Sequence, residues 1–178
     1  MTTTKEKIKV LDENFNIKDE EEIIESLKQE KNKKENYKPT FIEKIAFLIE
    51  KKLKDKNFSD LDLEEWLEPN GICFKFAKRA EIKRTQLRKY FDEIKQIKIL
   101  LKGFKEEEQI PSKVRVKLVG LIPKFAYAKG RKLMGDDVYE FFSNSLRKVK
   151  DGKVEDFKAF EQILEAILAY HTYHKPKE

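Results

Sequence analysis

A chain of 178 residues is long enough for one domain with a single core, and its one cysteine, Cys73, excludes an internal disulfide. Charged residues make up 40% of it while Gly and Pro number only 6 and 5, a balance that disfavours a turn-rich all-β fold and favours solvated helices. The net charge of +6 is unevenly spread: residues 75–150 hold 21 basic and 9 acidic side chains and all six arginines, so this window carries +12 against −6 elsewhere.

Residues 1–38 are dominated by Lys, Glu, Asp and Asn, with sparse apolar positions such as Ile8, Val10, Leu11, Ile17, Ile23, Ile24 and Leu27. That is thin for a core, so a charged N-terminal arm is expected, either mobile or a loosely docked helix. A bundle domain is expected over 39–174. Its first helix opens at Thr40, a residue whose hydroxyl can accept from a free N-terminal N–H, and buries Phe41, Ile42, Ile45, Leu48, Ile49 and Leu53 at helical spacing. Residues 57–70 read as a connection with a short turn, Ser59 or Asp60 capping it and Trp66 plugging the bundle end.

A short helix then buries Ile72, Phe76 and Ala80 and leads into a long one over 85–104, for which Thr85 is the expected N-cap. In that long helix Leu87, Tyr90, Phe91, Ile94, Ile97, Leu101 and Phe104 recur at steps of three and four, while Arg84, Arg88, Lys95, Lys98 and Lys102 form a basic ridge. Three glutamates, Glu106 to Glu108, sit at the wrong end for the helix dipole and predict fraying. Pro111 and Ser112 start a second basic helix in which Val114, Leu118, Leu121, Phe125 and Ala128 are apolar. Pro123 removes a backbone donor there, so a kink or break is expected near Val119 and Gly120. Asp136 or Asp137 is the expected cap of the next helix, and residues 154–171 form the last, with His171 inside and Glu155, Glu161 and Glu165 outside. The tail after it is expected to fray. The fold class is therefore all-α, a compact helical bundle of about five to six helices with a flexible charged N-terminal arm.

No catalytic constellation stands out. Carboxylate pairs such as Asp92 with Glu93 are sequence neighbours and point about 100° apart on a helix. His171 and His174 lack partners at metal-ligand spacing, and there is no phosphate-cradling glycine loop. No enzyme activity, metal or cofactor is expected. The absence of an apolar leader or an 18-residue apolar run, with a single cysteine, leads to the expectation of a cytoplasmic protein.

Two short runs carry a resemblance: Gln86, Leu87 and Arg88 ahead of the aromatic pair Tyr90 and Phe91, and Ala126-Tyr127-Ala128-x-Gly130-Arg131 following Leu121 and Pro123. With the length and helical pattern, they make the chain, from about residue 74 to the end of the last helix, resemble the small subunit of the type III-A CRISPR effector, the Csm complex. The resemblance does not cover the arm before Pro39. It implies a non-catalytic helical bundle, present in several copies that stack head to tail beside the backbone subunits, with crRNA paired to target RNA in the groove between the two filaments. Target cleavage would then belong to the backbone subunits, and the DNase and cyclic-oligoadenylate activities to the large subunit.

A protein that must accept any guide needs cations for phosphates and no base-edge readers. The expected RNA contacts are Lys78, Arg79, Lys83, Arg84 and Arg88 from the first cluster and Lys124, Lys129 and Arg131 from the second. Each has a plainer alternative as a solvated charge or an internal ion pair, such as Arg88 with Asp92, and Arg131 beside Gly130 can instead bond helix-end carbonyls. Tyr127 is expected to pack rather than stack. Two other readings stand beside this one: a helix-turn-helix DNA-binding regulator with residues 85–104 as its recognition helix, and a structural adaptor without nucleic-acid contact.

Overall fold

In the computed structural model, which describes residues 6–176, the apolar three-and-four periodicity is realised as helices along the chain. The first five residues of the expected arm and the last two of the tail lie outside the described residues. In order, the segments are α1 (Glu20–Glu30), α2 (Phe41–Phe47), α3 (Leu63–Leu67), α4 (Ile72–Arg79), α5 (Arg84–Ile99), α6 (Ser112–Val119), α7 (Leu121–Gly130), α8 (Asp136–Lys150) and α9 (Val154–His174). A π-turn over Leu48–Lys52 extends α2, and a 3₁₀ turn over Phe58–Asp60 precedes α3. Strand-like pairing among the described residues is limited to isolated bridges. The six helices expected from periodicity are all present. The higher number of segments comes from α1, from α3, and from the break between α6 and α7 that Pro123 predicts.

α8 and α9 organise the bundle. α8 packs on α2, α6 and α7, while α9 packs on α4 and α5 and on the turn before α3. A chain of rings ties the two groups together: Phe76 of α4 lies 4.6 Å from Phe141, Phe141 lies 5.3 Å from Phe142, Phe142 lies 5.5 Å from Phe125, and Phe125 lies 4.2 Å from Tyr90. Trp66 is buried, as expected for a plug.

The sparse apolar residues of the N-terminal segment are placed inward. Val10, Leu11, Ile17, Ile23 and Leu27 are all buried, and α1 packs on α2. The backbone ahead of α1 is anchored as well: Ile8 pairs with Leu61, and the Glu65 carboxylate accepts the N–H groups of Val10 at 2.7 Å and Leu11 at 2.5 Å. Burial raises the Glu65 pKa despite those two bonds. Among the described residues of this segment, 20–30 form the helix α1 that packs on α2.

Local endings differ from expectation where tertiary pairing intervenes. Thr40 caps α2, accepting from the Glu43 N–H at 3.1 Å. Thr85, however, is not a cap: α5 starts at Arg84 with Lys83 as N-cap, because the Lys83 N–H is held by the Leu133 carbonyl at 3.3 Å. Asp136 and Asp137 sit inside the first turn of α8, after the cap residue Gly135. Asp137 instead accepts from the Thr40 hydroxyl at 2.8 Å. Glu161, expected outside, is buried and paired to Lys98 of α5 at 3.1 Å. α5 stops at Ile99, short of the three glutamates, and residues 106–110 pair with the start of α9 through Val154 N–H to Glu108 O at 2.9 Å.

Gly71 caps α4 in a confined place. A Cβ there would lie 2.3 Å from the Glu65 carbonyl oxygen and 2.7 Å from that of Glu68. Gly71→Ala should therefore lower the unfolding free energy by about 1–3 kcal/mol, because backbone must move to admit the methyl group. An unaltered melting temperature by circular dichroism would show that the turn yields freely.

Candidate nucleic-acid interface

Parts of the two basic clusters meet because two connections pair with each other. α4 ends at Arg79, and residues 80–83 run extended until α5 begins. Ile82 bridges Met134 antiparallel, the Lys83 N–H donates to Leu133 O, and the Gly135 N–H donates to Glu81 O at 2.7 Å. The end of α9 closes this junction from a third side: the buried His171 places Nε2 3.0 Å from Ile82 O, and Lys175 Nζ donates to Ala80 O at 2.8 Å. Beside the junction lies an open cleft of about 970 Å³ lined by Arg79, Lys83, Lys129, Lys132 and Lys175. Glu43, Glu81, Asp136 and Asp137 also line it, so the cations are set in a mixed field.

Lys132 and Lys175 were not expected here. Lys132 closes α7 in the left-handed region at φ 61°, with Leu133 N–H donating back to Ala128 O at 2.9 Å, a position usually held by glycine. A lysine there costs about 1 kcal/mol. Nothing in the sequence marks Lys132, because its place depends on a backbone angle that a lysine does not announce. Lys175 lies in the tail expected to fray. The tail is instead held by His174 Nε2, 3.2 Å from Phe74 O, and by the Lys175 contact.

The expected contacts divide into three groups, with Lys78 apart from all of them. Arg79, Lys83 and Lys129 share the cleft. Arg79 lies over the Phe41 ring at 5.3 Å and donates to Lys75 O at 3.1 Å, and Lys129 lies 3.6 Å from Asp136 and 4.9 Å from the Tyr139 ring centre. Arg84 and Arg88 occupy the flank of α5 turned toward α9. Arg84 there reaches Pro176 O at 3.4 Å, while Arg88 is exposed and makes no ion pair with Asp92. Lys124 of α7 meets the other side of α5, where it is 2.7 Å from Glu93 and Tyr90 Oη donates to Lys124 O at 3.3 Å, and Arg131 follows at the end of α7. Lys78 is exposed on α4 and does not line the cleft. The ridges of α5 and α7 therefore diverge around α5 instead of forming one face.

Internal ion pairs hold two of these cations, Lys124 and Lys129, both with substantially exposed side chains. Exposed pairs of this kind are worth under about 1 kcal/mol and exchange readily for a phosphate. Lys78, Lys83 and Arg88 form no ion pair among the described residues. Burial, and then the Arg79 charge, lower the pKa of Lys75, so cations crowd this end of α4. Among the described residues Arg131 bonds no helix-end carbonyl. Its Nη1 donates to Tyr127 Oη at 3.1 Å, and Tyr127, expected to pack, is 64% exposed.

No group of three or more His, Cys, Asp or Glu side chains among the described residues is arranged to hold a metal ion, and no helix among them is long and apolar enough to cross a membrane.

The chain is in class an all-α bundle with an open cleft of mixed charge at a loop junction. The family model Csm2 Type III-A matches residues 70–177, well over half of the chain, and the chain belongs to that family. Membership makes it the small subunit of a type III-A CRISPR complex. No curated protein and no solved structure matches it.

Proposed function

We propose that this chain is a non-catalytic subunit that holds the crRNA and target RNA duplex in the effector, independent of sequence, while stacking head to tail with its own copies beside the other Csm subunits in the cytoplasm. The observation that carries this reading is the pairing of Ile82 with Met134, which brings Arg79, Lys83, Lys129, Lys132 and Lys175 to one cleft. Cations from three separate stretches of chain, residues 79–83, 129–132 and 175, converge there among four carboxylates, and a phosphate chain laid along them would release its counterions. Lys78, Arg84, Arg88, Lys124 and Arg131 lie outside the cleft and are proposed as further phosphate contacts. A-form duplexes present phosphates and 2′-hydroxyls to such a surface, and their deep groove hides the bases, so no sequence preference follows.

Binding of the purified chain to labelled single-stranded RNA across a salt series tests the proposal. Weak binding with a log–log slope of about −3 is expected if about four phosphates are neutralised. A flat salt dependence would instead assign the charge to protein contacts, as in an adaptor. A strong preference for one DNA duplex would make the chain a regulator.

A further inference from the structure

Tyr127 stands apart from the cleft and is unexplained by phosphate contact. It lies on α7 between Lys124, three residues before, and Arg131, four after, so the three share one ridge of that helix. The buried stripe of α7, Leu121, Phe125 and Ala128, points elsewhere, and the helix carries no acidic residue. An aromatic ring gains most by burying its surface, yet this one stays 64% exposed. The Arg131 guanidinium, 5.7 Å from the ring centre and bonded to the phenol oxygen, fixes its orientation.

We propose that Tyr127, steadied by Arg131 and flanked by Lys124, is a stacking platform for an unpaired nucleobase of the bound RNA. This rests on the RNA-contact reading and adds to it, because phosphate contacts need no ring. Every base offers a π-face, so a tyrosine accepts any of them, and the guanidinium adds its own attraction. The two cations on the same ridge favour a polyanion over an apolar protein surface as the occupant. A strand with a base turned out of its stack fits such a site; a fully paired helix offers it no ring.

The full-length chain, titrated into single-stranded RNA containing 2-aminopurine, tests this. Wild type and Tyr127→Phe should quench the fluorophore and bind within about twofold of each other, whereas Tyr127→Leu and Tyr127→Ala should lose the quench and bind about tenfold more weakly. The salt slope should stay the same in all four, since no phosphate contact is removed. Wild-type affinity in Tyr127→Leu would overturn the platform, as would loss of Tyr127→Ala from the assembled complex with its RNA affinity intact, which would assign the ring to a protein neighbour. If wild type binds RNA without salt dependence, the RNA-contact reading itself fails and the platform with it. If the slope persists and only the tyrosine variants behave as wild type, the platform alone falls.

Discussion

Phe141→Ala should lower the unfolding free energy by about 3–5 kcal/mol, and with it the melting temperature by roughly 10 °C. Phe141 is wholly buried in α8, and its ring lies between those of Phe76 and Phe142 in the chain of aromatics that joins α4, α8, α7 and α5. Its removal leaves a void at the centre of that chain, which the flanking rings, each held by a further neighbour, can only partly fill. Denaturant melts followed by circular dichroism give the number directly. A loss under about 1 kcal/mol would mean that the rings collapse on one another and that the two halves of the bundle are joined by something else.

The largest effect on binding is expected from reversing three arginines together. Arg79→Glu, Arg84→Glu and Arg88→Glu in one chain should reduce RNA capture by the assembled complex by about a hundredfold and bring the salt slope of the chain from about −3 toward about −1, as three phosphate contacts disappear. Arg79 and Arg88 are exposed and Arg84 is half-buried at a helix start, so the helicity and melting temperature should change little. Undiminished capture would show that RNA passes over the Lys124 side instead. Loss of the fold would make these arginines structural, through contacts such as Arg79 on Phe41 and Arg84 on the end of the chain.

Much of the bundle was legible because its helices bury stripes that repeat every three or four residues, and that signal survives any tertiary arrangement. The break at Gly120 was legible for the same kind of local reason, a proline that cannot donate. What sequence did not disclose depends on partners distant along the chain. Thr85 is a good cap by itself, but Leu133, 48 positions later, decides where α5 begins. Glu161 reads as surface until Lys98 arrives beside it. Ile23 and Leu27 look too few to dock a helix, and they suffice because α2 offers them a matching face. The candidate site shows the same limit: periodicity found the basic ridges of α5 and α7, but not that they diverge, nor that Lys132 and Lys175 complete the cleft.

The N-terminal layer has a consequence for how the molecule can be divided. The family's match begins at residue 70, whereas α2, which lies before it, covers one side of α8, and the 3₁₀ turn before it supplies Phe58, packed against Phe160 of α9 at 5.4 Å. A fragment trimmed to the matched residues would bare greasy surface on both central helices. The portion that heredity marks as shared thus leans on apolar cover supplied by residues ahead of it.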